Sequence, residues 1–229
     1  MRSQTETDSG DPAGTGYGAG PCYPELATVV LVAAVHVTIE LALSEAMAFL
    51  FSAVAAAGFL GYLTWRARNS PGVLRTWGMR RDNFREAIRS QLPFGLAAGA
   101  ALFAFGWFTG SLVLPWGFWL TVGLYPIWGA AQQFALQNLL GRNLAGLVRH
   151  PAALALVAAV LFAASHVPRW DLVVLTVVSG FFFTLMYRRV PNLWAVGIVH
   201  GVLGSLAVYL VVGDDPGAFL AGALADLLR

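Results

Sequence analysis

Long apolar stretches separated by short connections rich in arginine dominate this chain. Seven of them approach the roughly 20 residues needed to cross a bilayer. They run over 24–43, 46–65, 92–114, 117–140, 152–167, 171–187 and 191–212. The pattern predicts an all-α protein, a polytopic membrane helix bundle of about seven transmembrane helices over 24–212. Pro93, Pro115, Pro151, Pro168, Pro191 and Pro216 fall at or near the predicted ends, where proline is best tolerated. A shorter apolar run, 217–228, cannot span and is expected at the interface, within a C-terminal segment 213–229. The first 23 residues are polar and rich in Gly, Ser, Thr and Asp, without an apolar core of the signal-peptide kind. They are expected to be a disordered tail.

Composition agrees with that pattern. The hydrophobic fraction is 58% and the charged fraction 11%, against roughly 25% charged in a soluble domain. A net charge of +2 is too small to argue for a nucleic-acid partner. The single cysteine, Cys22, cannot form an internal disulfide, and no Cys/His cluster has zinc-site spacing. Neither a metal nor another cofactor is implied, and oligomeric state is left open. Arginines set the orientation. Arg66, Arg68, Arg75, Arg80, Arg81, Arg85 and Arg89 lie between the second and third spans, Arg142 and Arg149 follow the fourth, and Arg188 and Arg189 follow the sixth. These connections alternate to one side. The positive-inside rule makes that side cytoplasmic, and the N-terminus with it, in a multi-pass protein of the cell membrane.

Two finer patterns stand out. "TWGMRRDNFREAIRSQL" interleaves Trp77, Met79, Phe84 and Ile88 with Arg80, Arg81, Arg85 and Arg89, as an amphipathic helix on the inner membrane surface would; a charged connecting loop is the plainer reading. Small residues recur every four positions at Gly95 and Gly99, and at Gly197, Gly201 and Ser205, a spacing that lets helix backbones approach closely.

Polar residues within the spans are few. They are His36 and Glu40 in the first, Gln132, Gln133, Gln137 and Asn138 in the fourth, His166 at the end of the fifth, and His200 in the seventh. No Asp or Glu lies between Glu86 and Asp171. Ionisable groups at membrane depth are functional candidates, although a single histidine can also serve only to join helices. Three motifs follow in order: Gln132-Gln133-x-x-x-Gln137, Phe162-x-x-x-His166, and Asn192-Leu193-Trp194 leading to His200-x-x-x-Gly204. Over about 115–210 the chain resembles the CAAX prenyl endopeptidase and bacteriocin-processing (Abi-type) intramembrane proteases. Those proteins carry Glu-Glu-x-x-x-Arg, Phe-x-x-x-His and His-x-x-x-Asn at these separations.

The resemblance implies a site in which a glutamate and a histidine activate water while a second histidine and an asparagine hold the oxyanion. In this chain the base position is Gln132, an amide without usable basicity, and the asparagine position is Gly204, which has no side-chain donor. Loss of a general base costs about 10²–10⁴ in rate. Gln133 and Gln137 stand where the family has a carboxylate and an arginine. They are i and i+4 on a helix, and two amides can bond each other there. The replacement removes both members of an ion pair, so neither charge is left buried alone.

Three readings follow. In the first, the chain keeps a protease fold, has little or no peptidase activity, and binds a hydrophobic or prenylated peptide besides its membrane lipids. In the second, it is a working endopeptidase with a base drawn from His166, His200 or Glu40. Glu40 is i+4 from His36, and this pair can equally well anchor the first span. In the third, it is a transporter or a membrane partner subunit. Straight spans would also put His166 and Gln132 toward opposite membrane faces, so a shared site requires uneven or tilted helices.

Overall fold

The computed structural model describes residues 21–43 and 45–218. The expected disordered tail, but for residues 21–23, and most of the expected interfacial segment lie outside these residues. All regular structure among the described residues is helical: α1 Tyr23–Ala42, α2 Glu45–Asn69, α3 Val73–Thr76, α4 Phe84–Thr109, α5 Trp116–Gln133, α6 Arg142–Leu144, α7 Pro151–Ala164, α8 Trp170–Arg189 and α9 Leu193–Ala207. Two π-helical turns interrupt this order, Phe134–Gly141 between α5 and α6, and Val208–Val212 after α9. Among the described residues, Tyr23–Ala42, Phe84–Thr109, Trp170–Arg189 and Leu193–Val212 are long and apolar enough to cross a membrane. The fold is an all-helical, multi-pass membrane bundle. Large exposed side chains such as Leu31, Leu96, Phe108, Trp119 and Ile127 form its outer surface, as expected where lipid replaces water.

The most buried spanning helix is α9, packed against α4, α5 and α8. Glycine makes this packing possible. A Cβ on Gly201 would overlap the backbone of Pro126, and one on Gly197 would lie 2.8 Å from Ala130 Cβ. One on Gly129 would lie 2.9 Å from Gly197 O and 3.4 Å from His200 Cγ. Here α5 and α9 meet backbone to backbone, the arrangement that small residues at four-residue spacing permit. On the α4 side, Gly95 faces Val199 and Gly99 faces Leu203 and Leu206.

Two sequence expectations are corrected. Residues 76–92 do not form a separate surface helix. Residues 77–83 are a loop, and 84–91 are the first turns of α4, which puts Pro93 inside that helix. Gly78 breaks the helical pattern at φ +68°, with Tyr187 Oη 2.6 Å from where its Cβ would stand. Trp77 leaves the membrane surface altogether. It is fully buried edge-on against Phe134, at 5.1 Å between ring centroids, with the Arg66 guanidinium 5.6 Å from its ring centre.

This loop holds the start of α9. Asn192 caps the helix by accepting from Ala195 N–H (3.0 Å) and donates to Arg80 O and Asn83 Oδ1, both at 2.8 Å. Leu193 N–H donates to Gly78 O at 2.9 Å. The Asn-Leu-Trp lead-in thereby fixes the depth of α9, and of His200 with it.

At the arginine-rich end, Glu25 forms a junction that the sequence did not suggest. Buried at 7% exposure, it accepts from Arg142 (2.6 Å), Asn143 (2.7 Å) and the Tyr62 hydroxyl, with Arg66 at 3.6 Å. Cys22 N–H donates to Asn143 Oδ1 at 2.7 Å. The start of α1 is tied by these bonds to α2 and α6.

Candidate functional site

The site forms where α5 leads into its π turn and meets α9. Gln133 Nε2 donates to His200 Nδ1 at 2.8 Å, and Gln137 Nε2 donates to Gln133 Oε1 at 2.9 Å and to Thr184 Oγ1 at 3.3 Å. Gln133, Gln137 and Thr184 are fully buried. The π turn starts directly after Gln133. Gln133 and Gln137 remain neighbours across this junction; π turns commonly occur at functional sites. The product is a chain of neutral hydrogen bonds from α8 through α5 to α9.

This chain fixes the histidine's proton. An amide NH₂ only donates, so His200 Nδ1 accepts and its hydrogen sits on Nε2. The ring stacks on Phe183, 5.6 Å away and tilted by 11°. Phe162 joins the two histidines, with its ring edge-on to His166 at 4.9 Å and to His200 at 6.1 Å. His166 Nδ1 donates to Phe162 O at 3.0 Å, which leaves the lone pair on Nε2. The two imidazoles thus present opposite capabilities: Nε2 of His166 can take a proton, and Nε2 of His200 can give a hydrogen bond.

The depth conflict is resolved by helix length. α7 has 14 residues, a rise of about 21 Å against a core of about 30 Å. It ends at Ala164, and His166 lies in the turn that follows, so a helix this short brings His166 back toward the level of His200.

Residues 131–206 match the family model described as type II CAAX prenyl endopeptidase Rce1-like. Over this third of the chain the protein is similar to that family. No curated protein and no solved structure matches the chain.

The sequence candidates separate in the structure. His166, His200, Gln133 and Gln137 gather as described. Gln132 is half-buried, and among the described residues its side chain has no hydrogen-bond partner; Gln133, its neighbour, makes the bond to His200. Glu40 pairs with His36, Oε2 to Nε2 3.4 Å, and His36 Nδ1 also lies 3.1 Å from Ser52 Oγ. Among the described residues Glu40 has no contact with His166 or His200.

Gly204 faces Tyr125. A Cβ there would sit 2.5 Å from Tyr125 Cε1, 3.0 Å from Cδ1 and 3.7 Å from His200 Cδ2. Sequence reasoning missed Tyr125 and Thr184. Tyr125 carried a signal, since Tyr125, Gly129 and Gln132 or Gln133 repeat at helical spacing on one face of α5. Among the described residues no three His, Cys, Asp or Glu side chains cluster as metal ligands would.

Proposed function

We propose that this Rce1-like membrane protein holds a hydrophobic or lipidated peptide beside His166 and His200 and hydrolyses it slowly, if at all. Its N-terminus and arginine-rich connections face the cytoplasm, and it resides in the cell membrane. One observation carries the reading: neutral amides occupy the positions where the family's motif places charge, and two of them, Gln133 and Gln137, form a hydrogen-bonded chain ending on His200. Hydrolysis of an amide needs a base within reach of water, and Gln132 cannot be one. An apolar groove of about 350 Å³ supports a hydrophobic ligand. It runs between Val30, Ala33 and Ala34 of α1 and Leu161, Ala164 and Ser165 on the α7 side, and ends one residue from His166.

A second reading rests on the proton positions. His166 Nε2 is the acceptor that a hydrolytic step requires. Water adds to the peptide carbonyl carbon as its proton passes to His166 Nε2. The carbonyl electron pair moves onto oxygen, opposite His200 Nε2–H. Collapse breaks the C–N bond, and the amine leaves with the proton. A lone imidazole serves this step less well than an imidazole paired with a carboxylate, hence slow turnover.

The test is purified protein in lipid vesicles with prenylated and unprenylated peptides, comparing wild type, His166→Ala and Gln132→Glu. The expected result is saturable binding of the prenylated peptide by wild type, little cleavage, and cleavage raised by about 10²-fold or more in Gln132→Glu. Robust cleavage by wild type that His166→Ala abolishes would replace the first reading with the second. Wild type that binds neither peptide removes both.

A further inference from the structure

The family's third motif ends on a residue that this chain has reduced to a hydrogen atom, Gly204. The vacated space is filled from the opposite helix. The Tyr125 ring lies where a side chain at 204 would stand, and its nearest atom, Cε1, adjoins the carbon that bears the hydroxyl. On the other side of the same point is His200 Cδ2, bonded to Nε2. Among the described residues the Tyr125 hydroxyl has no hydrogen-bond partner, although the residue is partly buried within the bundle. A hydroxyl at that depth gains from any acceptor that arrives. His200 Nε2–H is in the same condition, because Gln133 occupies the ring's other nitrogen.

We propose that Tyr125 is the second oxyanion donor of this site: its hydroxyl and His200 Nε2–H together hold the oxygen of the attacked carbonyl as charge develops on it, and not the neutral carbonyl of the bound peptide, in place of the donor missing at Gly204. The assignment deepens the functional reading above and rests on it. A tyrosine hydroxyl is chemically suited to the task, since phenol donors stabilise oxyanions as amide donors do. The packing supports it independently. Gly204 and Tyr125 are one exchange, a large side chain on α5 against none on α9. An asparagine at 204 would collide with the ring, so restoring the family residue by itself harms this protein.

The test uses the full chain in vesicles and two probes, a prenylated peptide and its phosphinate analogue, whose tetrahedral oxyanion mimics the attacked carbonyl. Wild type is expected to prefer the phosphinate. Tyr125→Phe keeps the ring and loses the hydroxyl; it should cut that preference about ten- to a hundredfold while leaving affinity for the peptide within about twofold. A merely structural tyrosine would move both affinities together or neither, and either result overturns the assignment. Wild type that binds the peptide without preferring the phosphinate also overturns it, with the functional reading intact. Failure of wild type to bind either probe takes down the functional reading and the assignment with it. The packing is read separately by thermal unfolding. Gly204→Asn should lower the midpoint, and Tyr125→Ala in the same chain should recover part of the loss. An unchanged midpoint in Gly204→Asn would refute the claim that Tyr125 fills the space.

Discussion

Replacing Gln133 by leucine tests whether the amide chain is a cooperative unit. The substitution keeps approximate volume and removes two hydrogen bonds, one to His200 Nδ1 and one from Gln137 Nε2. Of the partners left behind, Gln137 is fully buried and His200 partly buried. In a water-soluble core each unsatisfied group would cost about 1–3 kcal/mol. Within membranes, interhelical bonds measured by double-mutant cycles average about 0.6 kcal/mol and reach about 1.7. Gln133, Gln137 and Thr184 are fully buried, so the upper part of the membrane range applies, and Gln133→Leu should cost about 2–3 kcal/mol. Gln137→Leu should cost about 1–2 kcal/mol, because Gln133 Oε1 and Thr184 lose a donor. The double variant loses the shared Gln133–Gln137 bond only once. It should be less destabilised than the sum by about 1 kcal/mol. Reversible unfolding in mixed detergent, followed by helical content, measures all three. Gln132→Leu is the control, expected within about 0.5 kcal/mol of wild type because no bond is removed. Additivity of the pair within about 0.3–0.5 kcal/mol would refute the chain as a unit.

Two further predictions concern the ends of the bundle. Glu25→Ala strands the Arg142 and Arg66 guanidiniums beside a buried vacancy and should cost about 3–5 kcal/mol, read by the same unfolding assay; a loss below about 1 kcal/mol would show that the junction is solvated. In the loop before α4, hydrogen bonding from Arg80, aided by the nearby charge of Arg75, holds Asp82 well below the usual carboxylate range. A depressed pKa stabilises above the ordinary carboxylate value and loses that contribution as pH falls toward the folded value. The melting midpoint should therefore decline on acidification below about pH 4, less steeply in Asp82→Asn; identical acid limbs would contradict the assignment.

The helices were legible because each spanning run must be apolar along nearly its whole length, a signal that needs no partner. What depended on partners was not. Glu25 meets Arg142 and Asn143 across more than a hundred residues of chain, and nothing local marks the meeting. The π turn at 134–141 arises from how α5 seats against its neighbours, so the hydrophobic pattern reads through it as ordinary helix. The motif put Gln132 at the base position, whereas Gln133 reaches His200; neighbours on a helix differ in direction, and the direction toward α9 is a tertiary fact. Trp77 looked like a membrane-surface anchor because tryptophan often is one; Gly78 and the carbonyl bonds from Tyr187 and Asn138 turn it inward. The order of the motifs was the part of the site that sequence could carry, because His166 and His200 sit on separate elements whose spacing survives in the chain.

The contact of Gly201 with Pro126 has a consequence for how such a protein can change its chemistry. The separation between the two halves of the site is set by backbone touching backbone, not by the residues that would do the reaction. Architecture and reactivity are thus written in different letters of the sequence. The amides at 132, 133 and 137 take no part in that backbone contact. The same division makes this scaffold a natural host for redesign, in which new polar groups inherit ångström-scale placement from glycines that never meet the ligand.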